Sequence, residues 1–406
     1  MKKIAGNPYL IKQGEKLTID SIEISEMLKR SKTPFFIFIE DRIRENVRNF
    51  SRVFKSLFNN TQVFYSFKAN FLPEICKIIQ SEGMGAELVG LPELKLALEI
   101  GFSPEKVIIG GPYLTKELIE ISINKEVKEI VVYDLKYLKK INDIAQKLNK
   151  VQEVCLRVRS QKYASKLGIV LTENILTQLK KYEKNFKNIS LSSILSHYTT
   201  QMNSLEQFNK NILSLVNNYK KLSQKGIDIK NINLGGGFPE ASIMSEQELM
   251  KVALNIKQQL IDYDLEGKKI YFEPGRYFVG DSGVIIAKII RHTNNRWIFL
   301  NIGNHICPKF AKNSLRFYNI SQINKPHKYK TSIGGILPLD QDVLAKDYFF
   351  TKEINNGEFV LITNVGAYTL TFSNRFPYSL PNIFLIKEKH FRQIFNVEYD
   401  HDFSLF

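Results

Sequence analysis

The residues best suited to covalent or electrostatic chemistry stand at the ends of short apolar runs. Lys68 closes one in YSFKAN, His197 another in ILSHYTTQ, and FEPGRY places Glu273 and Arg276 three residues apart. NLGGGFPE contributes three consecutive glycines, Gly235, Gly236 and Gly237, and NVGAYTLTF brings Tyr368 from far downstream. Each residue type has two readings. Lys68 is either a strand-end lysine reaching for solvent or an amine whose pKa desolvation lowers, ready to attack a carbonyl. The glycines form either a flexible turn or a loop whose bare amides can approach an anion closely. Glu273 and Arg276 make either a surface ion pair or, separately, an acid and a guanidinium that grips phosphate bidentately. A strand-end histidine such as His197 is more often structural than catalytic, and a tyrosine such as Tyr368 is usually a core residue with a satisfied hydroxyl.

The elements that must position these groups are read from hydrophobic period. From about residue 64 to 275 the runs VFYSFKA, AELVG, KVIIGG, EIVVYD, VCLRVRS, LSSILSH, INLGGG and KIYFEPG alternate with amphipathic segments. Each run is short and rich in β-branched residues, as buried parallel strands are. In the clearest intervening segment Leu205, Phe208, Ile212, Val216, Tyr219 and Leu222 recur at three- and four-residue steps, and Gly226 is placed to end the helix. Eight strands joined by helices predict an α/β fold, a (β/α)₈ barrel over residues 36–283. Beyond residue 284, VIIAKIIRH and RWIFLNIG flank Thr293-Asn294-Asn295 as a hairpin, and EFVLITN and NIFLIKE follow. A mostly antiparallel β domain is expected over 284–406, completed by residues 1–35, where Leu17 and Ile19 alternate.

Composition narrows the function. The 406-residue chain carries a formal net charge of +16, but its basic residues are mostly lysines scattered along polar segments such as KKYEKNFKN and KKLSQK. Without an arginine stripe interleaved with aromatics, a nucleic-acid groove is not expected. A solvated lysine-rich surface is the plainest account of the charge, with attraction of an anionic substrate or acidic partner as the alternative. Cys76, Cys155 and Cys307 are too scattered for a disulfide framework or a zinc site. No run approaches the ~18 apolar residues of a membrane span, and MKKIAGNPYLIKQGEK lacks the apolar centre of a signal peptide. A cytoplasmic protein without metal or membrane partner is expected.

In a barrel, active-site groups gather at the C-terminal ends of the strands, and the loops after the seventh and eighth strands favour phosphate. Lys68, His197, the glycines, Glu273 and Arg276 all fall there. An anchoring amine, a phosphate cradle, an acid and a flat ring partner at one mouth are what pyridoxal 5′-phosphate requires.

The order TPFFIF, YSFKAN, GMGAELVGLPEL, SKLGI, SHYTTQ, NLGGGF, EPGRY, DVLAKD and GAY resembles the fold-type III pyridoxal-phosphate decarboxylases, the family of diaminopimelate and ornithine decarboxylases, over nearly the whole chain. The resemblance implies that Lys68 holds the cofactor covalently and His197 stacks on its ring. It implies that Gly235, Gly236, Gly237, Thr200, Arg276 and Tyr368 hold the phosphate. By the same resemblance Glu273 bonds the pyridine nitrogen, Glu87 takes an aspartate's place near the ring, and Arg157 lies beneath it. A homodimer with active sites at its interface is implied as well.

Two departures qualify that picture. The family's Gly-Pro-x-Cys segment, whose cysteine returns a proton, corresponds here to IGGILPLDQD, with Leu337 or Pro338 in the region and no cysteine. Asp340, Lys68 or water must then deliver the proton, and Asp342 matches the aspartate that follows. The arginine that grips a substrate carboxylate in diaminopimelate decarboxylases is Cys307 in HICPKF, leaving Lys309 or Arg316 to substitute. The expected activity is therefore decarboxylation of an amino-acid-type substrate other than standard diaminopimelate. LGGGFP, GRYFVGDSG and TTQM are similar to a branch working in secondary metabolism, siderophore assembly or on carrier-bound acyl groups. The alternatives are an amino-acid racemase, a decarboxylase with another fate for its intermediate, and a regulatory homologue that binds the cofactor. Racemases of the related barrel usually set an arginine by the pyridine nitrogen, and Glu273 argues against that reading.

Overall fold

The computed structural model describes residues 2–162 and 165–397. The chain divides into two compact units. One comprises Val47–Pro239 and Met244–Gly275; the other holds the residues up to Asn46, Glu240–Ile243 and those from Arg276 onward.

The first unit is a closed parallel barrel of eight strands: Thr61–Ser66, Gly85–Leu88, Val107–Gly111, Glu129–Val132, Gln152–Val158, Ile189–Ser196, Asn231–Asn233 and Lys269–Phe272. Neighbours in sequence are neighbours in the barrel, and the pairing of Ile270 with Thr61 closes it. All eight expected runs are strands. The third is buried at every position, as a strand covered on both faces must be. A Cβ on Gly110 would stand 2.5 Å from the Val131 side chain, so the small residue sets how closely these strands pack.

The intervening segments are helices. Leu205–Gln224 begins at Ser204, whose side chain accepts from the Gln207 N–H, and buries Phe208, Ile212, Leu215, Val216 and Leu222. Gly226, at φ +67°, follows its end as expected. The apolar stripe is shorter than its spacing suggested: Leu205, the first helical residue, is 44 % exposed because it precedes the packed face. Phe50, Phe54, Phe238 and Phe272 pack with ring centroids 4.2–6.1 Å apart, and Phe238 directly follows the glycine loop.

The second unit contains two sheets. Lys2–Ile4, Asn7–Gln13, Lys16–Ile19 and Ile22–Glu23 form a small antiparallel sheet in sequence order. Nine further strands form a mostly antiparallel sheet around Gly283–His292, which pairs with Phe35–Ile39, Trp297–Leu300 and Phe359–Thr363. The hairpin expected around residues 293–295 joins Gly283–His292 to Trp297–Leu300. Leu10, Leu17 and Ile19 share one core with Phe35, Ile37, Val284, Leu361 and Phe384. The N-terminal segment thus joins this unit by packing rather than by pairing in the larger sheet.

The division between units differs from a boundary at residue 36. Phe35–Ile39 is an unbroken apolar run that reads like a barrel strand, but its partners are Gly283–His292 and Asn382–Lys387. Among the described residues no helix is long and apolar enough to cross a membrane, and no three His, Cys, Asp or Glu side chains cluster as metal ligands.

Candidate active site

The barrel unit gathers Lys68, Glu87, Arg157, His197, Gly235–Gly237 and Glu273 from the ends of different strands. The first strand ends at Ser66, and a 3₁₀ turn, Phe67–Ala69, carries Lys68 beyond it. The Tyr65 hydroxyl donates to the Asn70 carbonyl (2.7 Å), and the Asn70 side chain accepts from the Leu72 N–H (3.0 Å), fixing the turn. Ser66 lies opposite Glu87 in the strand register. Glu87 Oε2 accepts from Lys68 Nζ and from Ser66 Oγ, each at 2.5 Å. Lys68 was expected in apolar surroundings, yet its side chain is 43 % exposed and ion-paired. The apolar strand residues precede it, whereas the turn swings the lysine out past them.

Glu273 follows the eighth strand and is buried. Its carboxylate accepts from Asn233 Nδ2 (2.7 Å), whose Oδ1 accepts in turn from the Gly235 N–H (2.8 Å). The Glu273 N–H donates to the Gly235 carbonyl (2.8 Å), so acid and glycine loop form one unit. The glycines answer to packing as well as to anion approach. A Cβ on Gly235 would lie 2.9 Å from His197 Nδ1, one on Gly236 2.3 Å from the Glu273 carbonyl oxygen, and one on Gly237 2.5 Å from that of Thr199. Gly235 and Gly237 also have φ of +66° and +89°, where any side chain is strained. The His197 ring is thereby seated against the loop. Thr200, further along, is exposed.

Arg157 projects from the fifth strand, donating from Nη1 to the Tyr133 hydroxyl (2.7 Å) with its guanidinium 4.7 Å from that ring's centroid. Gly168 in SKLGI, at φ +103°, brings its backbone against Arg157, and the Ile169 N–H donates to the Arg157 carbonyl (2.8 Å).

The electrostatics separate the two acids. Burial opposes ionisation of Glu87, but Lys68, Ser66 and Arg157 outweigh it and hold this carboxyl below its ordinary range. Burial, reinforced by the Glu87 charge, pushes Glu273 up to about 7, with Lys68, Asn233 and Arg157 opposing. Burial, with positive charge from Arg157 and Lys68, lowers His197 to about 3, so the imidazole is neutral. A neutral flat ring, an amine with a carboxylate partner, and a buried acid whose charge awaits a cation are what a pyridinium-bearing cofactor would meet. The residues of this unit fit such a group.

The remaining candidates belong to the β unit. Arg276 opens the short helix Arg276–Val279 and lies 4.7 Å from the centroid of Tyr368, itself at φ +59°. Its Nε is buried without a hydrogen-bond partner among the described residues. Asp342 is buried and accepts from the main-chain N–H groups of Asn304 (2.6 Å) and Leu337 (2.7 Å), an arrangement that clamps a loop. Asp340 on that loop is exposed. Cys307 is buried, and burial with the Asp342 charge pushes its thiol up to about 12, so it offers no charge in an arginine's place. Lys309 is exposed and Arg316 half-buried.

Ser66, Tyr133 and Asn233 were not singled out from the sequence. Asn233 ends the strand Asn231–Asn233 two residues before the glycines, and a polar residue at that place is the one signal that could have marked it.

Comparison with known proteins gives a consistent result. The family described as "Pyridoxal-dependent decarboxylase, pyridoxal binding domain" matches residues 40–280. A diaminopimelate decarboxylase of Aquifex aeolicus is 25 % identical over 91 % of this chain and 90 % of its own. The L-glutamyl-[BtrI acyl-carrier protein] decarboxylase of Niallia circulans is 26 % identical over 88 % and 89 %. The crystal structure of a diaminopimelate decarboxylase from M. jannaschii superposes with a TM-score of 0.86 at 23 % identity, covering 96 % of this chain and 95 % of that one.

Proposed function

The chain belongs to the pyridoxal-dependent decarboxylases, and from that premise we propose that Lys68 anchors the cofactor for decarboxylation of an amino-acid substrate other than free diaminopimelate. It is a carboxy-lyase that uses pyridoxal 5′-phosphate. The observation carrying the residue assignment is the barrel-mouth set of Lys68 paired to Glu87, beside an acid held near neutrality by burial.

Bound cofactor supplies an electron sink for the pair released as the α-carboxylate leaves. Lys68 would hold it through Nζ, and the neutral His197 ring would stack on its flat face. Glu273, beside the pyridine nitrogen, would keep a proton there, since a buried carboxylate gains most from a cationic neighbour. Arg276 and Tyr368 are assigned to the phosphate, as are the amides of Gly235–Gly237, which approach closely for want of side chains. Arg157, braced by Tyr133, adds positive charge beside Glu87 and Glu273. Glu87 Oε2 keeps the Lys68 ammonium in place, so Lys68 Nζ is a proton source at the mouth in the absence of a cysteine. Two copies of the chain are proposed to assemble as a homodimer.

The buried Cys307 thiol argues against a standard diaminopimelate grip. The Niallia relative's carrier-bound substrate, together with the net charge of +16, favours a carrier-linked amino acid as a second reading. A CO₂-release screen of basic, acidic and carrier-linked amino acids with product analysis tests both. Stereochemical inversion without gas would establish a racemase instead. The loaded enzyme should absorb near about 420 nm, the region of cofactor joined to a lysine, and borohydride should remove the band. If no cofactor is taken up, the residue assignment fails.

A further inference from the structure

A second carboxylate stands beside the residue assigned to the phosphate. Arg276 and Glu240 are both buried, at 4 % and 0 % exposure of their side chains, with Arg276 Nη1 3.4 Å from Glu240 Oε1. The same Nη1 donates to Asn313 Oδ1, and Nη2 donates to the Ala311 carbonyl (2.6 Å). Arginine can only donate, so the contact with Oδ1 fixes which way the Asn313 amide faces. Three acceptors from two segments therefore occupy the terminal nitrogens, while Nε is buried and lacks a partner among the described residues. A buried guanidinium donor without an acceptor costs free energy unless a ligand completes it. Gly280 lets this arrangement close: a Cβ there would meet the Glu240 side chain at 2.5 Å and that of Arg276 at 3.2 Å.

We propose that Glu240 is a positioning residue for cofactor binding: it holds Arg276 by Nη1, alongside Asn313 on Nη1 and Ala311 on Nη2, and leaves Nε for a phosphate oxygen. This rests on the assignment of Arg276 to the phosphate. Glu240 also neutralises part of the guanidinium's charge, so it trades attraction for orientation. Removing its charge while keeping an acceptor should preserve phosphate recognition, whereas removing the acceptor should impair it.

The test measures dissociation constants of the full-length apoprotein for pyridoxal and for pyridoxal 5′-phosphate, and takes the first divided by the second as the phosphate contribution. A general folding defect weakens both ligands and leaves the ratio unmoved. Glu240→Ala should lower the ratio about tenfold, the scale of one charge-assisted hydrogen bond. Glu240→Gln should hold the ratio within about threefold of wild type or raise it. A Glu240→Ala ratio equal to wild type, or a Glu240→Gln ratio that falls as far as that of Glu240→Ala, overturns the positioning role. Arg276→Lys separates the two levels: a lowered ratio there supports the phosphate assignment whatever Glu240 does. An unchanged ratio in Arg276→Lys removes that assignment and the inference together.

Discussion

The barrel holds two buried acid clusters, one at each end, and they are built differently. At the N-terminal ends of the strands Glu129 accepts from Ser193 Oγ, Ser192 Oγ (3.3 Å) and Asn231 Nδ2 (3.3 Å), all neutral donors. At the C-terminal ends Glu87 receives the Lys68 ammonium, and Glu273 has Asn233. Burial pushes Glu129 and Glu273 alike up to about 7, while Glu87 stays below its ordinary range. Burial alone therefore does not set the two ends apart. What differs is the company. Glu129 accepts from hydroxyl and amide groups, with Lys128 and Glu153 acting on it only through their charge, whereas Glu273 sits with Glu87, Lys68 and Arg157, the first two joined by an ion pair, at the end where barrels do chemistry.

Mutations can break or sharpen this contrast. Lys68→Ala should have the largest effect, lowering CO₂ release at least about a thousandfold through loss of the proposed covalent anchor. Retained turnover would remove Lys68 from its role. Glu273→Gln should lower kcat/KM about a hundredfold, the scale of a misplaced proton or lost electrostatic partner. Glu129→Gln should leave kcat/KM within about threefold of wild type. Equal losses from the two substitutions would erase the distinction between the ends.

Stability against pH should treat the two acids alike. Each has a folded pKa raised from 4.5 to about 7, so the folded state holds its proton where the unfolded chain has released it. Their protonated forms favour folding fully below about pH 4.5, and that contribution is lost as pH rises to about 7. Each shift corresponds to roughly 3 kcal/mol as an upper scale. Urea denaturation of the apoprotein from pH 4 to 8 should show stability falling over this window, with a shallower fall in either glutamine variant. A slope unchanged in Glu129→Gln would mean that its neighbours, rather than its proton, compensate for burial. Among substitutions at the C-terminal mouth the smallest loss is expected from Tyr133→Phe, which deletes the 2.7 Å bond to Arg157 but keeps the ring under the guanidinium. A few-fold loss in kcat/KM is expected from steady-state kinetics, in line with about 1 kcal/mol for one hydrogen bond.

The fold was largely legible because a parallel barrel writes its strands as separate apolar runs. Pairing at long range was not legible. Phe35–Ile39 has the composition of a barrel strand, and only its partner Gly283–His292, some 250 residues away in sequence, assigns it to the other unit. The glycine loop was legible as special but incompletely explained: the contact of Gly236 with the Glu273 carbonyl is invisible until the seventh and eighth strands are adjacent.

The sequence by itself determined the number and order of barrel strands, the β-rich character of the other unit, and the appearance of Lys68, His197 and Glu273 at strand ends. These follow from local period and spacing, which each segment carries on its own. Only the tertiary structure decided that Lys68 is ion-paired, that Glu273 is held near neutral pKa, that Asn233 and Tyr133 brace the site, and that Asp342 clamps a loop. Charge state, burial and hydrogen bonding are sums over neighbours drawn from distant parts of the chain, and those neighbours exist only once it has folded.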